Sequence, residues 1–165
     1  MPVRFACGPV TDPRHAPVGG EPAPGQATTL TARTPAAAVL LRVLVVDDSP
    51  ALLDLAAEMV DASPCAEVVG KAGSGLEALQ RVVQLRPDVV LMDLSMPVMN
   101  GLEATRALLT DHDAPQVVLM SVHEQDEYQR AAEEAGACAF LPKSELCARL
   151  PILLHRLAAV KGSAP

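Results

Sequence analysis

This sequence predicts an α/β fold built on a parallel sheet, and three observations carry the prediction. From Leu41 onward, five short apolar runs alternate with five longer segments of helical period. The alternation fills about 120 residues, the size of one ordinary domain. Four of the five candidate strands end in a polar or charged residue, and sheets of this kind carry their working groups at the carboxyl ends of the strands.

The elements follow in order. Leu41-Arg-Val-Leu-Val-Val46 reads as a buried strand, and Pro50 to Asp61 sets Leu52, Leu53, Ala56, Met59 and Val60 at helical spacing. Glu67 to Ala72 is a second strand. Gly75 to Gln84 presents Leu76, Leu79, Val82 and Val83 on one face, Pro87 stops it, and Asp88-Val-Val-Leu-Met92 is a third strand. Gly101 to Thr110 is helical, Gln116 to Met120 is a strand, Glu124 to Ala135 is helical until Gly136, and Cys138 to Leu141 is a short fifth strand. Pro151 would break a helix begun at Ser144. The expectation there is a turn, then a final helix opened by Pro151 at its first position and running to about Val160. Right-handed crossovers place the helices on both faces, giving a doubly wound five-stranded parallel sheet.

Composition divides the chain near residue 40. Of its 165 residues, the first 40 hold seven of fifteen prolines and four of ten glycines, with only scattered apolar residues. Such a segment cannot bury enough surface to offset chain entropy, so residues 1–40 are expected to be a disordered tail and residues 161–165 a flexible end. Three Arg against Asp12 and Glu21 give the tail +1, so with -7 overall the rest holds -8. That acidity, no Trp, one Tyr and two Phe argue against nucleic-acid binding, which needs basic charge and stacking rings. The four cysteines, Cys7, Cys65, Cys138 and Cys147, show neither Cys-x-x-Cys spacing nor paired histidines, which suits a reduced cytoplasmic setting better than zinc or disulfides. The most apolar stretch, Pro35 to Val46, is interrupted by Arg42 and falls short of the ~20 residues a membrane span needs. No signal peptide is read at the N-terminus.

Strand one ends in Asp47-Asp48, strand three in Asp93, strand four in Ser121 and strand five in Lys143. Taken singly, each is an ordinary polar residue closing a strand. In a flavodoxin-like order 2-1-3-4-5, however, strands one and three are neighbours and three carboxylates meet at the switch point. Like charges so close call for a cation, and an all-oxygen set favours Mg²⁺. A hard cation beside a carboxylate, with a hydroxyl and an ammonium opposite, suits phosphoryl transfer. Asp93 is then the candidate nucleophile, with Lys143 and the Ser121 hydroxyl on the phosphoryl oxygens.

Residues 41–160 resemble the receiver domain of two-component response regulators. The resemblance rests on Val45-Val-Asp-Asp-Ser-Pro50, on Pro87-Asp-Val-Val-Leu-Met-Asp-Leu-Ser-Met-Pro-Val-Met-Asn-Gly101, on Ser121, and on Glu134-Ala-Gly-Ala-Cys-Ala-Phe-Leu-Pro-Lys143. The spacings agree as well: 45 residues from Asp48 to Asp93, 28 on to Ser121 and 22 on to Lys143. The resemblance implies phosphorylation of Asp93 by a histidine kinase or histidine phosphotransfer protein. It implies Mg²⁺ held by Asp48, Asp93 and the main-chain oxygen of Ser95, with Asp47 acting through water. It also implies a switch in which Phe140 turns inward as the Ser121 hydroxyl moves onto the phosphate. Ser144 stands where a proline often follows the lysine, so the cis bond common there is not expected.

Gly73-Ser-Gly75 lacks the remaining positions of a nucleotide loop, and His15, His112, His123 and His155 form no metal pattern. His123 reads as a solvated loop residue. The resulting expectation is a stand-alone, non-enzymatic regulator in the cytoplasm, signalling to an unknown downstream protein without contacting membrane or nucleic acid, with homodimerisation on phosphorylation left open. Two alternatives stand beside it. One is an aspartate-nucleophile phosphohydrolase of haloacid dehalogenase type, which carries a second Asp where this chain has Ser95. The other is a scaffold that keeps the receiver fold without signalling.

Overall fold

A computed structural model describes residues 40–123 and 126–162. The expectations for residues 1–39 and 163–165, and for the first two positions of the helix expected from Glu124, lie outside them. The described chain runs β1 (Leu41–Val46), α1 (Pro50–Asp61), β2 (Ala66–Ala72), α2 (Gly75–Leu85), β3 (Val89–Asp93), α3 (Gly101–Leu108), β4 (Gln116–Ser121), α4 (Asp126–Glu134), β5 (Ala139–Pro142), a single 3₁₀ turn (Lys143–Glu145) and α5 (Leu146–Gly162). All five strands are parallel, in the order β2-β1-β3-β4-β5. The fold class and strand order expected from sequence are those observed.

Period-two alternation divides the core between the two faces of the sheet. On β1, Val43 and Val45 join one cluster with Ala56 and Val60 of α1 and with Leu146, Leu150 and Leu154 of α5. Leu44 and Val46 join the other, with Ala78 of α2, Ala104 and Leu108 of α3, and Ala132 of α4. The central strands are covered on both sides, which is why they read as unbroken apolar runs. β2 departs from regular pairing between Val43 and Leu44, where the register skips from Val68 to Gly70. At Gly70 a methyl group would press on the side chains of Leu85 and Leu44, so the bulge sits against the end of α2.

The helix starts follow local chemistry. Pro50 occupies the first turn of α1, where no amide hydrogen is needed. Ser74 caps α2 by accepting from the Glu77 amide at 3.2 Å, while Glu77 accepts from the Gly73 amide at 2.9 Å. Asn100 and Glu103 form a reciprocal capping box at α3. These caps place the two loops that follow β2 and β3.

One element differs from expectation. α5 does not begin at Pro151; it runs from Leu146 through that proline to Gly162. Leu146, Leu150 and Leu154 are buried at four-residue intervals, and that stripe extends the helix N-terminal to the proline. The cost is a missing hydrogen bond to the Cys147 carbonyl, and both Cys147 and Pro151 are exposed, where water can take its place. At the far end Lys161 pairs with Asp88 at 2.6 Å, tying α5 to the segment before β3. Among the described residues no helix is long and apolar enough to cross a membrane.

Candidate functional site

The carboxyl ends of β1, β3, β4 and β5 converge on one edge of the sheet. Strand pairing does most of this work: Val46 of β1 lies beside Met92 of β3, Asp93 beside Met120 of β4, and Ser121 beside Pro142 of β5. Asp47 and Asp48 follow β1 directly, and Lys143 follows β5.

Asp47 and Asp93 are nearly inaccessible, at 1% and 3% exposure, whereas Asp48 faces solvent. Oxygens of all three carboxylates lie within 4.8 Å of one another. The Lys143 ammonium bridges the two buried ones, 2.7 Å from Asp47 Oδ2 and 2.7 Å from Asp93 Oδ1. The remaining oxygens are held by the backbone: the Ser49 amide donates to Asp47 Oδ1 at 2.9 Å, and the Ser95 amide to Asp93 Oδ2 at 3.1 Å. Both acidic side chains are therefore aimed by the protein's own groups.

Three carboxyl groups face one ammonium at this edge. Burial raises the Asp93 carboxyl above the ordinary aspartate range, and neighbouring Asp47 adds to this, although Lys143 and the Ser95 amide pull the other way. At Lys143 burial alone would depress the ammonium, but its hydrogen bonds and ion pairs with Asp47 and Asp93 outweigh it, and the net direction is up. A compact all-oxygen donor set with residual negative charge is the chemistry that hard divalent cations seek.

Gly101 fixes the approach of α3 to this site. A Cβ there would collide with the carbonyl oxygen of Asp93 and crowd Leu94 and Leu119. The Gly101 amide instead donates to the Leu94 carbonyl at 2.9 Å, which closes the loop from β3. In that loop Val98 has φ +69° and is fully exposed, a backbone state that a β-branched residue rarely adopts.

The other sequence-selected residues fall around this centre. Ser95 stands in the loop after Asp93 with its side chain exposed. Ser121 is completely buried at the end of β4, and its hydroxyl accepts from the His123 amide at 3.0 Å. Phe140 lies on β5 beside Leu119 and is half-buried against the α2–α4 core. The carboxylates and the lysine are thus in direct contact, while Ser121 and Phe140 sit on the adjoining strands with partners of their own.

Sequence reading missed one arrangement. His123 is exposed as expected, yet its ring stacks on Tyr128 with centroids 5.1 Å apart and planes 15° from parallel. A five-residue separation has no periodic signature, so only the fold reveals it.

The sequence pattern of the response regulator receiver domain matches residues 43–154. Protein-glutamate methylesterase/protein-glutamine glutaminase 4 of Myxococcus xanthus is 46% identical over 104 residues, which cover 62% of this chain and 30% of that protein. Response regulator GacA of Pseudomonas viridiflava is 42% identical over 104 residues, 63% of this chain and 49% of the relative. The chain spans about a third to a half of the length of these curated relatives. Among solved structures, the response regulator domain of Thermotoga maritima CheB superposes with a TM-score of 0.66 at 31% identity, covering 76% of this chain and 99% of the other. The signal receiver domain of NarL from Mycobacterium tuberculosis gives 0.65 at 32% identity, covering 74% and 98%. Sheet order, the clustered carboxylates and these matches agree, and the chain belongs to the response regulator receiver domain family.

Proposed function

We propose that this protein is the phosphoacceptor of a two-component phosphorelay, with Asp93 as the residue modified. The observation that carries the reading is the Lys143 ammonium set between Asp47 and Asp93, with Asp48 completing a triad of carboxylates at the same strand edge. In the proposed step an Asp93 carboxylate oxygen forms a bond to phosphorus as the phosphorus–nitrogen bond of a phosphohistidine donor breaks. The imidazole, protonated on its other nitrogen, leaves neutral. Mg²⁺ held by Asp48, Asp93 and the Ser95 main-chain oxygen, with Asp47 acting through water, would neutralise charge on the transferring oxygens.

The chain's own groups do the remainder. The Ser95 amide orients the Asp93 carboxylate before attack, as its 3.1 Å bond supports. Lys143 already contacts Asp93 and meets the new phosphoryl oxygens with charge-assisted hydrogen bonds. A serine hydroxyl that accepts from one amide retains a proton to donate, so Ser121 can turn from His123 toward the phosphoryl group. In the same reading the modification is stoichiometric rather than catalytic turnover, the donor is a histidine kinase or phosphotransfer protein, and a downstream protein in the cytoplasm reads the altered surface.

The test is incubation with acetyl phosphate and Mg²⁺ followed by intact-mass measurement. Addition of one phosphoryl group, absent without Mg²⁺ and absent in Asp93→Asn, is expected. Equal labelling of Asp93→Asn would overturn the assignment.

A further inference from the structure

We propose that His123 and Tyr128 form a joint that couples the Ser121 hydroxyl to helix α4 and holds the resting state, both acting as positioning residues. The inference rests on the phosphoacceptor reading above for the motion it resists, but the two contacts that make the joint are observed in the structure.

Two independent contacts meet at His123. Its main-chain N–H donates to the hydroxyl of Ser121, a residue with no exposed surface, at 3.0 Å. Its imidazole lies face to face with the Tyr128 ring in the first turn of α4, at 5.1 Å and 15°. One residue thus grips the buried hydroxyl with its backbone and the helix with its side chain. Three bonds, N–Cα, Cα–Cβ and Cβ–Cγ, separate the amide nitrogen from the ring, so the stack on Tyr128 fixes where the amide that holds the Ser121 hydroxyl sits. In the resting arrangement the stack therefore opposes release of Ser121. A ligand that needs the released hydroxyl binds with an affinity reduced by the fraction of molecules still latched.

Aromatic pairing of this kind corresponds to about two- to tenfold in an equilibrium constant. Beryllofluoride with Mg²⁺ is the probe, and its apparent affinity is followed by NMR shifts of the β4 amides. His123→Ala keeps the main-chain amide and loses the ring; Tyr128→Ala loses the other ring. Each is expected to tighten beryllofluoride binding by about two- to tenfold. The double variant should do no more than either single one, because the interaction is shared. Tyr128→Phe, which keeps a stacking face, should behave like the parent. Tyr128 is the only tyrosine in a chain without tryptophan, so parent fluorescence should also change as beryllofluoride binds.

A second measurement needs no ligand. Hydrogen exchange at the His123 amide should quicken in Tyr128→Ala and stay at the parental rate in Tyr128→Phe. Unchanged exchange, unchanged affinity in both alanine variants, or fully additive effects would overturn the joint. A parent that gives no beryllofluoride response overturns the phosphoacceptor reading instead, and the exchange result still decides whether the stack holds His123. Should Tyr128→Ala fail to fold, His123→Ala, at an exposed position, carries both measurements.

Discussion

Burial makes a negative charge on Asp93 costly. The carboxyl lies beside Asp47, and the net direction of its pKa is upward even with Lys143 in contact. An aspartate whose pKa is raised on folding contributes stability that is fully present below the ordinary aspartate range and lost as pH rises through the elevated value. Asp93→Asn is therefore expected to stabilise the Mg²⁺-free protein at neutral pH, leaving Lys143 on Asp47. Urea unfolding across pH checks this. The advantage of the variant should shrink as the solution is acidified, and a gap that widened toward acid would contradict the sign. Lys143 is what makes the two buried carboxylates tolerable, because charges of one sign at that depth need a partner.

At the scale of the element, α5 joins two demands that sequence patterns set against each other. Its stripe of Leu146, Leu150 and Leu154 asks for helix through the position where Pro151 removes a hydrogen bond. Packing prevails because three fully or almost fully buried leucines outweigh one exposed carbonyl left to water. Pro151→Ala restores the missing donor and should raise stability by up to about 3 kcal/mol, seen as a higher midpoint in calorimetry. An unchanged or lower midpoint would show that the preceding 3₁₀ turn has already absorbed the proline.

For the molecule as a whole, charge and ligand are linked. Residues 41–165 carry -8, and three of those carboxylates crowd one edge. Anything that binds them only when the fold has assembled them stabilises the fold by mass action. At tenfold excess over its dissociation constant Mg²⁺ should add about 1.4 kcal/mol. A thermal titration measures this, and Asp48→Ala should remove most of it; an equal shift in that variant would place the cation elsewhere. Ca²⁺ at matched ionic strength separates a site effect from general screening.

Much of this was legible in the chain itself. Runs such as residues 43–46 and 89–92 are apolar because both faces of a central parallel strand are covered, which makes the fold class legible, while the strand order that gathers Asp47, Asp48, Asp93, Ser121 and Lys143 on one edge was read from the resemblance to receiver domains. Local chemistry also marked the starts of α1, α2 and α3 through Pro50, Ser74 and Asn100. Tertiary structure alone decided the rest. It carried α5 through Pro151, pressed Gly101 against the Asp93 carbonyl, and brought His123 onto Tyr128 while its amide reached Ser121. The physical reason is common to all three. Periodicity and capping are properties of neighbours along the chain, whereas these outcomes depend on which surfaces the folded backbone brings together, and at Pro151 on burial energy that exceeds the local preference it overrides.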